Sequence, residues 1–379
     1  MGDAMHVPFS STSRALGPMR IFAASILMAT LAACTQGGTM PATQTFVRPG
    51  TVPNATAGQY LYVLECCAGY GDITVYNARL KGIARTIAAR NPSYMALGRD
   101  GTLYVVNGWS QITVYGRGSG RPTRKLTGYN WLVGVATDAQ SNLYAIDCES
   151  CQINGAAPSA SGEPGTKGDR IDVYSPGGKQ LLRTIGRYVR APHAITFDSH
   201  ENLYVVNGSA EYHYLRPSIS VYKPGASSPF RRITTGRMKQ PVLIAIDKAD
   251  NVFVNTGSDS VLEYAAGSSK VVRTITDGIS SVDAIALDST GTLYVANASQ
   301  LPSHGWISVY PLGETHEAYR ITDGVNEPAA LRLDQDDNLY VSNDGYWGRV
   351  RLYLAGERVP HKSVKNHNGY PGALALGPR

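Results

Sequence analysis

Two ionisable residues occupy the same place in a short pattern that recurs along this 379-residue chain. The pattern is a proline or apolar residue, one variable residue, a run of mostly apolar residues, and then an aspartate. His193 is the variable residue in Pro192-His193-Ala194-Ile195, and Asp283 is the variable residue in Val282-Asp283-Ala284-Ile285. Histidine suits general-base chemistry near neutral pH, and a carboxylate suits acid–base chemistry or metal binding. We therefore predict His193 and Asp283 as candidate catalytic residues.

A second set of polar residues follows seven strand-like stretches at one relative position. The set is Glu65, Asn107, Asp147, Asn207, Thr256, Asn297 and Asn343. Asparagine at the end of a strand commonly forms hydrogen bonds with the next turn, which is a structural role. The alternative is an oxygen-lined site for Ca²⁺ or Mg²⁺, which takes about six or more oxygen ligands. In that case Glu65, Asp147 and Asp283 are the predicted anionic metal ligands.

Aromatic residues lie in or near the irregular connections between the strand-like stretches. They are the four tryptophans, Trp109, Trp131, Trp306 and Trp347, together with Tyr212 and Tyr214 in an insertion. Aromatic side chains on loops suit a protein, peptide or sugar surface, although tryptophans also cap the ends of strands. Arg332 stands where related stretches have small residues, which indicates an acidic partner or a bound anion. We predict these seven residues as candidate ligand contacts.

A sevenfold repeat carries all of these residues. The first stretch of each unit reads Leu-Tyr-Val or a close variant and begins at Leu61, Leu103, Leu143, Leu203, Val252, Leu293 and Leu339. The second stretch ends at Tyr76, Tyr115, Tyr174, Tyr222, Tyr264, Tyr310 and Tyr353. Alternating β-branched and aromatic residues predict strands, and the Gly, Pro, Asn and Asp residues between them predict turns. A repeat of roughly 40 to 60 residues made of short strands predicts a β-propeller.

Each unit aligns as four strands, which we name A to D. Strand A is the pattern that contains His193, strand B is Leu-Tyr-Val, strand C is Ile-x-Val-Tyr and strand D is Arg-x-Ile. The first unit lacks strand A, and residues 371–376 near the C-terminus match that missing strand. We therefore predict an all-β, seven-bladed β-propeller over residues 59–379, in which the C-terminal strand completes the first blade. Such closure removes exposed strand edges.

The run from Asp288 to Asn297, followed by Ile307 to Tyr310, resembles the NHL and YVTN families of β-propeller repeats. The resemblance covers residues 59–377 and is specific for the fold, but propellers of this kind serve as lactonases, lyases and binding scaffolds. His193 is similar in place to a channel-facing histidine of the streptogramin lyases. The Trp-Phe-x-Glu pattern in strand B of those lyases is replaced by Leu-Tyr-Val-x-Asn, and equivalent positions hold no second histidine with a nearby glutamate.

The N-terminus reads as a targeting segment. Arg14 and Arg20 precede an apolar run from Ile21 to Ala33, which is too short for an ordinary membrane span. Residues 31–34, Leu-Ala-Ala-Cys, resemble the bacterial lipobox, so residues 1–33 are predicted as a signal peptide and Cys34 as a lipidated cysteine. An unlipidated signal peptide or an uncleaved anchor is the alternative. Residues 34–58, rich in Thr, Gly, Pro and Ala, predict a flexible tether to the outer membrane or cell surface.

Export changes the interpretation of the other four cysteines, because pairing is the default in an oxidising compartment. Cys148 and Cys151 are spaced to close a small disulfide loop, and the adjacent Cys66 and Cys67 to form a strained vicinal disulfide. Two alternatives stay open. A four-cysteine zinc site is disfavoured because the two pairs lie in non-adjacent repeats, and a redox-active CxxC lacks a thioredoxin-like context.

The formal net charge of +6 alone permits binding to nucleic acid or to an anionic membrane. Six cations stand at one position of strand D, one per blade: Arg85, Arg124, Arg183, Arg231, Arg273 and Lys362. This spacing spreads them around the rim, where charge opposes edge-to-edge association between molecules. The interleaving of basic and aromatic residues that is typical of nucleic-acid binding is missing. We predict a monomer with no nucleic-acid partner.

The connections between strands favour a binding function. In a four-stranded meander the B–C and D–A connections lie on one face, which we call the loop face, and the A–B and C–D connections lie on the other, the turn face. The loop-face connections are irregular and aromatic, whereas the turn-face connections are short and uniform. The sequence therefore favours a lipid-anchored scaffold that binds a protein, peptide or glycan at the cell envelope. The alternative is a metal-assisted lactonase or lyase with its site at the channel mouth.

Overall fold

The computed structural model of the protein describes residues 59–66, 71–151, 168–208, 216–234, 236–257, 259–298, 304–343, 348–365 and 370–378. These residues form 28 strands and three short 3₁₀ turns at Ala78–Leu80, Glu149–Cys151 and Pro176–Gly178. Within the same ranges, no helix has the length and apolar character that crossing a bilayer requires.

The first fourteen strands in chain order are β1 (Gln59–Cys66), β2 (Gly71–Asn77), β3 (Ile83–Ala89), β4 (Pro92–Leu97), β5 (Leu103–Asn107), β6 (Gln111–Tyr115), β7 (Pro122–Leu126), β8 (Leu132–Thr137), β9 (Leu143–Asp147), β10 (Arg170–Tyr174), β11 (Leu181–Ile185), β12 (Pro192–Phe197), β13 (Leu203–Asn207) and β14 (Ser218–Tyr222). The remaining strands are β15 (Arg231–Thr234), β16 (Ile244–Ile246), β17 (Val252–Asn255), β18 (Val261–Tyr264), β19 (Val271–Ile275), β20 (Val282–Leu287), β21 (Leu293–Ala298), β22 (Gly305–Tyr310), β23 (Tyr319–Ile321), β24 (Pro328–Leu333), β25 (Leu339–Asn343), β26 (Arg349–Tyr353), β27 (Lys362–Lys365) and β28 (Tyr370–Pro378).

The strands form seven four-stranded antiparallel sheets, and the predicted seven-bladed propeller is confirmed. Blades 2 to 7 are consecutive meanders from β4–β7 to β24–β27, and blade 1 has the order β28-β1-β2-β3. The first strands of neighbouring blades contact one another in a closed circuit from β28 through β4, β8, β12, β16, β20 and β24 back to β28. These inner strands therefore line the central channel.

Ring closure depends on the pairing of the two chain ends in blade 1. Strand β28 runs antiparallel to β1, with Gln59 opposite Pro378 and Cys66 opposite Tyr370. The hydroxyl of Tyr62 donates to the backbone oxygen of Pro378 at 2.9 Å, which fixes the end of β28. The ring has no open edge between blade 7 and blade 1, as the sequence predicted.

The apolar core lies between blades. Side chains of a strand alternate between its two faces, so each sheet presents apolar residues to both neighbouring sheets. Between blades 1 and 2, for example, Tyr62 and Leu64 pack with Met95 and Leu97. Six such clusters of buried residues, among those that the structure describes, together cover every boundary between neighbouring blades.

A polar chain of aspartate, tyrosine and arginine runs through blade 4. Asp198 in the A–B turn accepts a hydrogen bond from the Tyr204 hydroxyl at 3.3 Å. Arg231 of strand D donates to the same hydroxyl at 2.8 Å, and its guanidinium lies 5.7 Å from the centroid of the tyrosine ring. Tyr204 is almost fully buried, so removing its hydroxyl from water would be costly without hydrogen-bond partners. Asp198 and Arg231 supply those partners.

The strand-D arginines therefore have a role beyond the predicted separation of charge at the rim. Arg85 and Arg183 donate to the hydroxyls of Tyr62 and Tyr144 at 3.0 and 3.1 Å, as Arg231 does in blade 4. Blade 5 uses a different pair. Phe253 replaces the tyrosine there, and Arg273 forms an ion pair with Glu263 instead.

This difference between blades allows a test by exchange. Val221 lies opposite both Tyr204 and Arg231, as Glu263 lies opposite both Phe253 and Arg273. We expect Tyr204→Phe to lower the free energy of unfolding by about 1–3 kcal/mol, because Arg231 and Asp198 lose a buried partner. Adding Val221→Glu recreates the arrangement of blade 5 and should restore at least half of that loss in urea denaturation. A double variant less stable than Tyr204→Phe would contradict this account.

Candidate functional site

Six of the seven inner strands are irregular at the position predicted to face the channel mouth. The strand register shifts at Ser93, Val133, His193, Asp283 and Ala329, and also beside Gly372 in blade 1. In blade 5 the corresponding residue, Val242, comes before strand β16 begins. A bulge turns a side chain away from the regular alternation of a strand, so these positions are suited to contact a group in the channel.

His193 is the titratable group of this ring whose environment is most unusual. Its Nε2 atom is buried and has no hydrogen-bond partner among the residues that the structure describes. Burial lowers the pKa of His193 to about 4, because a desolvated imidazole resists protonation. The side chain is therefore neutral at pH 7. The hydroxyl of Ser93, at the equivalent position two blades earlier, is also buried and lacks a partner within the described ranges.

The predicted metal ligands lie in three different blades. Asp283 is in β20 of blade 6, Glu65 is near the end of β1 in blade 1, and Asp147 ends β9 in blade 3. Glu65 and Asp147 are both fully buried. Nowhere in the described ranges do three or more His, Cys, Asp or Glu side chains form a group that could hold a metal ion. The Ca²⁺ or Mg²⁺ site stays a prediction.

The carboxylate of Asp147 holds a loop-face segment in place. Its Oδ1 accepts from the backbone N–H groups of Trp131 at 2.8 Å and Asn130 at 3.1 Å, and its Oδ2 pairs with Arg170 at 2.8 Å. Burial raises the pKa of Asp147, while the two backbone donors and Arg170 oppose that effect. In this structure Asp147 therefore positions Trp131.

Other members of the strand-B set cap the D–A connections through their side-chain oxygens. Asn207, Asn297 and Asn343 accept from the backbone N–H groups of Arg190, Ser280 and Asn326 at 3.0, 2.8 and 2.8 Å respectively. In blade 5 this role belongs to Asn255, one residue before Thr256, which accepts from Val242 and Leu243. These contacts match the structural interpretation of the set.

Two of the predicted tryptophans stack on each other where blades 2 and 3 meet on the loop face. Trp109 lies in the B–C connection of blade 2 and Trp131 in the connection into blade 3, with ring centroids 5.0 Å apart and ring planes 5° from parallel. Tyr94 meets Trp109 edge-on at 5.9 Å. All three side chains are half-buried. We call Tyr94, Trp109 and Trp131 the aromatic cluster; Tyr94 was not singled out from the sequence.

The backbone at Trp109 has an unfavourable conformation. Gly108 and Trp109 have φ angles of 54° and 67°, both in the left-handed region. That region costs a residue with a β-carbon roughly 1–2 kcal/mol, so glycine is the usual occupant. Other described loop-face residues share a positive φ, namely Asn91, Tyr188, Ala191, Ser281 and Glu327, so it is the stack on Trp131 that makes Trp109 the strongest single candidate on this face.

A disulfide supports the other half of the aromatic cluster. Cys148 and Cys151 are joined, with their Cα atoms 5.3 Å apart. The N–H of Cys148 donates to the carbonyl of Trp131 at 2.8 Å, and both Trp131 and Cys151 pack against the apolar core between blades 3 and 4. Asp169 anchors the disulfide turn by accepting from the backbone and the hydroxyl of Ser150 at 2.9 and 2.6 Å.

Trp306 and Arg332 have structural partners away from the aromatic cluster. Trp306, in blade 6, donates from its indole nitrogen to the carbonyl of Gly278 at 3.0 Å and lies 5.1 Å from the Arg320 guanidinium. Arg332, in blade 7, donates from Nε to the carbonyl of Leu374 on β28 at 2.9 Å. Burial lowers the pKa of Arg332 to about 10. The contact with β28 gives Arg332 a part in ring closure.

Several predicted site residues lie outside the described residues. These are Trp347, Tyr212 and Tyr214 among the ligand contacts, Cys34 as the lipidation site, and Cys67, whose proposed partner Cys66 is described only by its backbone.

Comparison with known proteins establishes a fold and no family. No protein-family model matches the sequence, and no curated protein matches it. Among solved structures, a crystal structure of a protein from Lactobacillus plantarum is similar, with a TM-score of 0.61 and 15% sequence identity over 84% of this chain and 99% of that chain. At this identity the likeness supports the β-propeller fold, and propellers serve many functions.

The burial of His193 predicts a pH dependence of stability. Its pKa falls from an ordinary 6.5 in the unfolded chain to about 4 in the folded one. Between these values the unfolded state binds the additional proton, so stability decreases as the pH is lowered, by at most about 3 kcal/mol. Urea midpoints at about pH 7.5 and about pH 5 measure this loss.

Two variants separate His193 from other groups that titrate. We expect His193→Gln to remove most of this pH dependence. His200, whose side chain is 76% exposed on the turn face, is the matched control, and His200→Gln should leave the dependence intact. An unchanged slope in His193→Gln would show that His193 is not desolvated as described.

Proposed function

We propose that this protein is an exported, lipid-anchored β-propeller that binds a protein, peptide or glycan partner through its loop face, centred on the aromatic cluster. The observation that carries the proposal is the Trp109–Trp131 stack, in which both rings are half-exposed and Trp109 keeps a left-handed backbone. The tight hairpin between β5 and β6 holds Trp109 in that conformation and so fixes where its ring is presented.

The supports around the stack make it a rigid recognition surface. Asp147 fixes the backbone of Trp131, the disulfide turn lies beneath it, and Leu132 donates to the carbonyl of Trp109 at 2.6 Å. Rigid aromatic side chains lose little conformational entropy when a partner binds, which is why tryptophan and tyrosine dominate binding hot spots. The same argument applies to a sugar ring stacked on an indole and to a peptide side chain.

The enzyme alternative, a metal-assisted lactonase or lyase at the channel mouth, has weaker support. A general base works best when its pKa is near the operating pH, and a pKa of about 4 makes His193 a weak base at neutral pH. His193 and Asp283 also lie in blades 4 and 6, separated by blade 5. These two features favour a binding role over catalysis.

The proposed anchor and repeat family rest on sequence patterns. The Leu-Ala-Ala-Cys ending at Cys34 supports a lipoprotein of the cell envelope, and the Leu-Tyr-Val and Ile-x-Val-Tyr repeats support an NHL or YVTN type of propeller. The fold is compatible with both. Strand β1 begins on the turn face, so a tether that ends at Gln59 leaves the loop face open to a partner.

Trp109→Gly tests the aromatic cluster. Loss of the stack destabilises the fold by about 1 kcal/mol, and a glycine at position 109 removes a backbone cost of similar size. We therefore expect the free energy of unfolding to change by less than about 1.5 kcal/mol. Capture of ligands from a glycan array or a displayed peptide library should nevertheless be lost. A core tryptophan would instead cost about 3–5 kcal/mol on truncation.

Trp306→Phe is the matched control for this experiment. It changes a tryptophan of the same face that is hydrogen-bonded in blade 6, so capture should persist. The proposal fails if wild-type protein enriches no ligand, or if Trp109→Gly retains the ligands that the wild type enriches.

Cys34→Ser tests the anchor. We expect mass spectrometry of the wild-type protein from its native membrane to show an N-terminal peptide that begins at Cys34 and carries the added mass of acyl chains. The variant should lack that mass and leave the detergent phase on phase separation, because lipid chains supply the membrane affinity. A wild-type N-terminus without lipid would contradict the proposal.

A further inference from the structure

The turn face of blades 1 and 2 is rich in exposed cations. Arg79 and Lys81 lie in or beside the C–D turn of blade 1, and Arg121 ends the C–D turn of blade 2. All three side chains are exposed, and none of them is in an ion pair within the described part of the chain. They therefore act together as a positive surface.

The charge of the turn face is unevenly distributed around the ring. In the described turns of blades 1 and 2 the acidic residue is Asp100, whose carboxylate accepts from the N–H and hydroxyl of Thr102 at 2.9 Å each. The turns of blades 6 and 7 are instead acidic, with Glu314, Glu317, Asp336 and Glu357. The turn face thus has a basic side and an acidic side.

The N-terminal tether leaves the ring at the basic side. Tyr60 pairs with Asn77, the residue before the turn that holds Arg79, and Gln59 pairs with Pro378. Residues 34–58 connect this point to Cys34. A tether of that length, as predicted from its composition, has an average end-to-end distance of roughly 25–30 Å, so the proposed anchor would keep the propeller close to its membrane.

We infer that the turn face of blades 1 and 2 docks on anionic phospholipid headgroups and turns the loop face away from the bilayer. The inference rests on the proposed anchor for the nearness of the membrane, and on the three cations for the orientation. Charges attract an anionic surface over about one Debye length, which is about 8 Å at physiological ionic strength. The acidic turns of blades 6 and 7 would face away from that surface, so the ring tilts towards blades 1 and 2.

Nucleic acid is the other polyanion that such a surface attracts. The tether favours the membrane, because it starts beside Arg79 and holds these cations within reach of the bilayer whenever Cys34 is inserted in it. The orientation also leaves the aromatic cluster accessible, since Trp109 and Trp131 are on the opposite face of the ring.

Vesicle binding tests the surface without the anchor. The chain that begins at Thr35 is suitable, because the ring closes entirely within residues 59–378. We expect this protein to sediment with vesicles of phosphatidylglycerol and phosphatidylcholine, not with phosphatidylcholine alone, and to be released at about 0.5 M salt by screening. The Arg79→Glu, Lys81→Glu, Arg121→Glu variant should lose about tenfold or more of its binding.

The matched control has the same change of charge on the other face. Arg90, Arg187 and Arg216 are exposed in loop-face connections, and the variant Arg90→Glu, Arg187→Glu, Arg216→Glu should keep its vesicle binding within about twofold. An equal loss in both variants would mean that net charge alone is measured, and the inference would fail. It would fail equally if the wild type does not bind the anionic vesicles, or prefers duplex DNA at equal phosphate concentration.

A measurement on the wild type covers the case in which a variant does not fold. Acetylation of lysine amines, followed by mass spectrometry, should show protection of Lys81 by anionic vesicles and no protection of Lys239, whose side chain is 72% exposed on the loop face. Equal labelling of Lys81 and Lys239 would overturn the orientation. Because this chain lacks Cys34, failure here is distinct from failure of the proposed anchor or of ligand capture.

Discussion

The antiparallel pairing of β28 with β1 is the interaction on which the remaining structure depends. Among the described residues the other main contacts between strands run within a blade or between neighbouring blades, so this one pairing of the chain ends completes the seventh interface and the channel. Arg332 and Ser342 of blade 7 reinforce it by donating to the carbonyls of Leu374 and Gly372, each at 2.9 Å. The pairing also places the start of the ring on the turn face, which sets where a tether emerges and which face stays open.

The closed ring is held by contacts that repeat from blade to blade. Strand-C tyrosines bond to carbonyls of the preceding blade or its outgoing connection, as Tyr222 does with Arg187 at 2.6 Å and Tyr353 with Asp323 at 2.7 Å. Tyr76 makes the same bond to Lys365 across the closure. Blades 3 and 5 depart from the pattern, since Tyr174 accepts from the hydroxyl of Tyr129 at 2.9 Å and the hydroxyl of Tyr264 has no partner among the described residues. A scaffold with this redundancy tolerates unusual loops, and the strained Trp109 is one of them.

The sequence predicted the fold in detail because each blade repeats the same information. Seven copies of the strand-B and strand-C patterns confirm one another, and the unmatched strand A at residues 371–376 could only complete blade 1. The site was less predictable. The sequence grouped four tryptophans on one face, but Trp109 and Trp131 stack because a hairpin of blade 2 meets the connection into blade 3, whereas Trp306 is hydrogen-bonded within blade 6. The sequence did not distinguish Tyr94 as a site residue, because aromatic residues are common throughout the repeat. Only its contact with Trp109 distinguishes it.

The sequence by itself determined the repeat, the blade number, the order of strands and the two faces, since these follow from local alternation and from chain connectivity. The tertiary structure decided which of the unusual polar residues contact one another or a distant part of the chain. Asp147 positions Trp131 and binds Arg170, Arg332 reaches the carbonyl of Leu374, and His193 becomes a neutral imidazole with a buried Nε2 atom. Each of these depends on atoms from another strand or blade at a few ångströms, and on the exclusion of water there. The spacing of residues along the sequence specifies neither these contacts nor the exclusion of water.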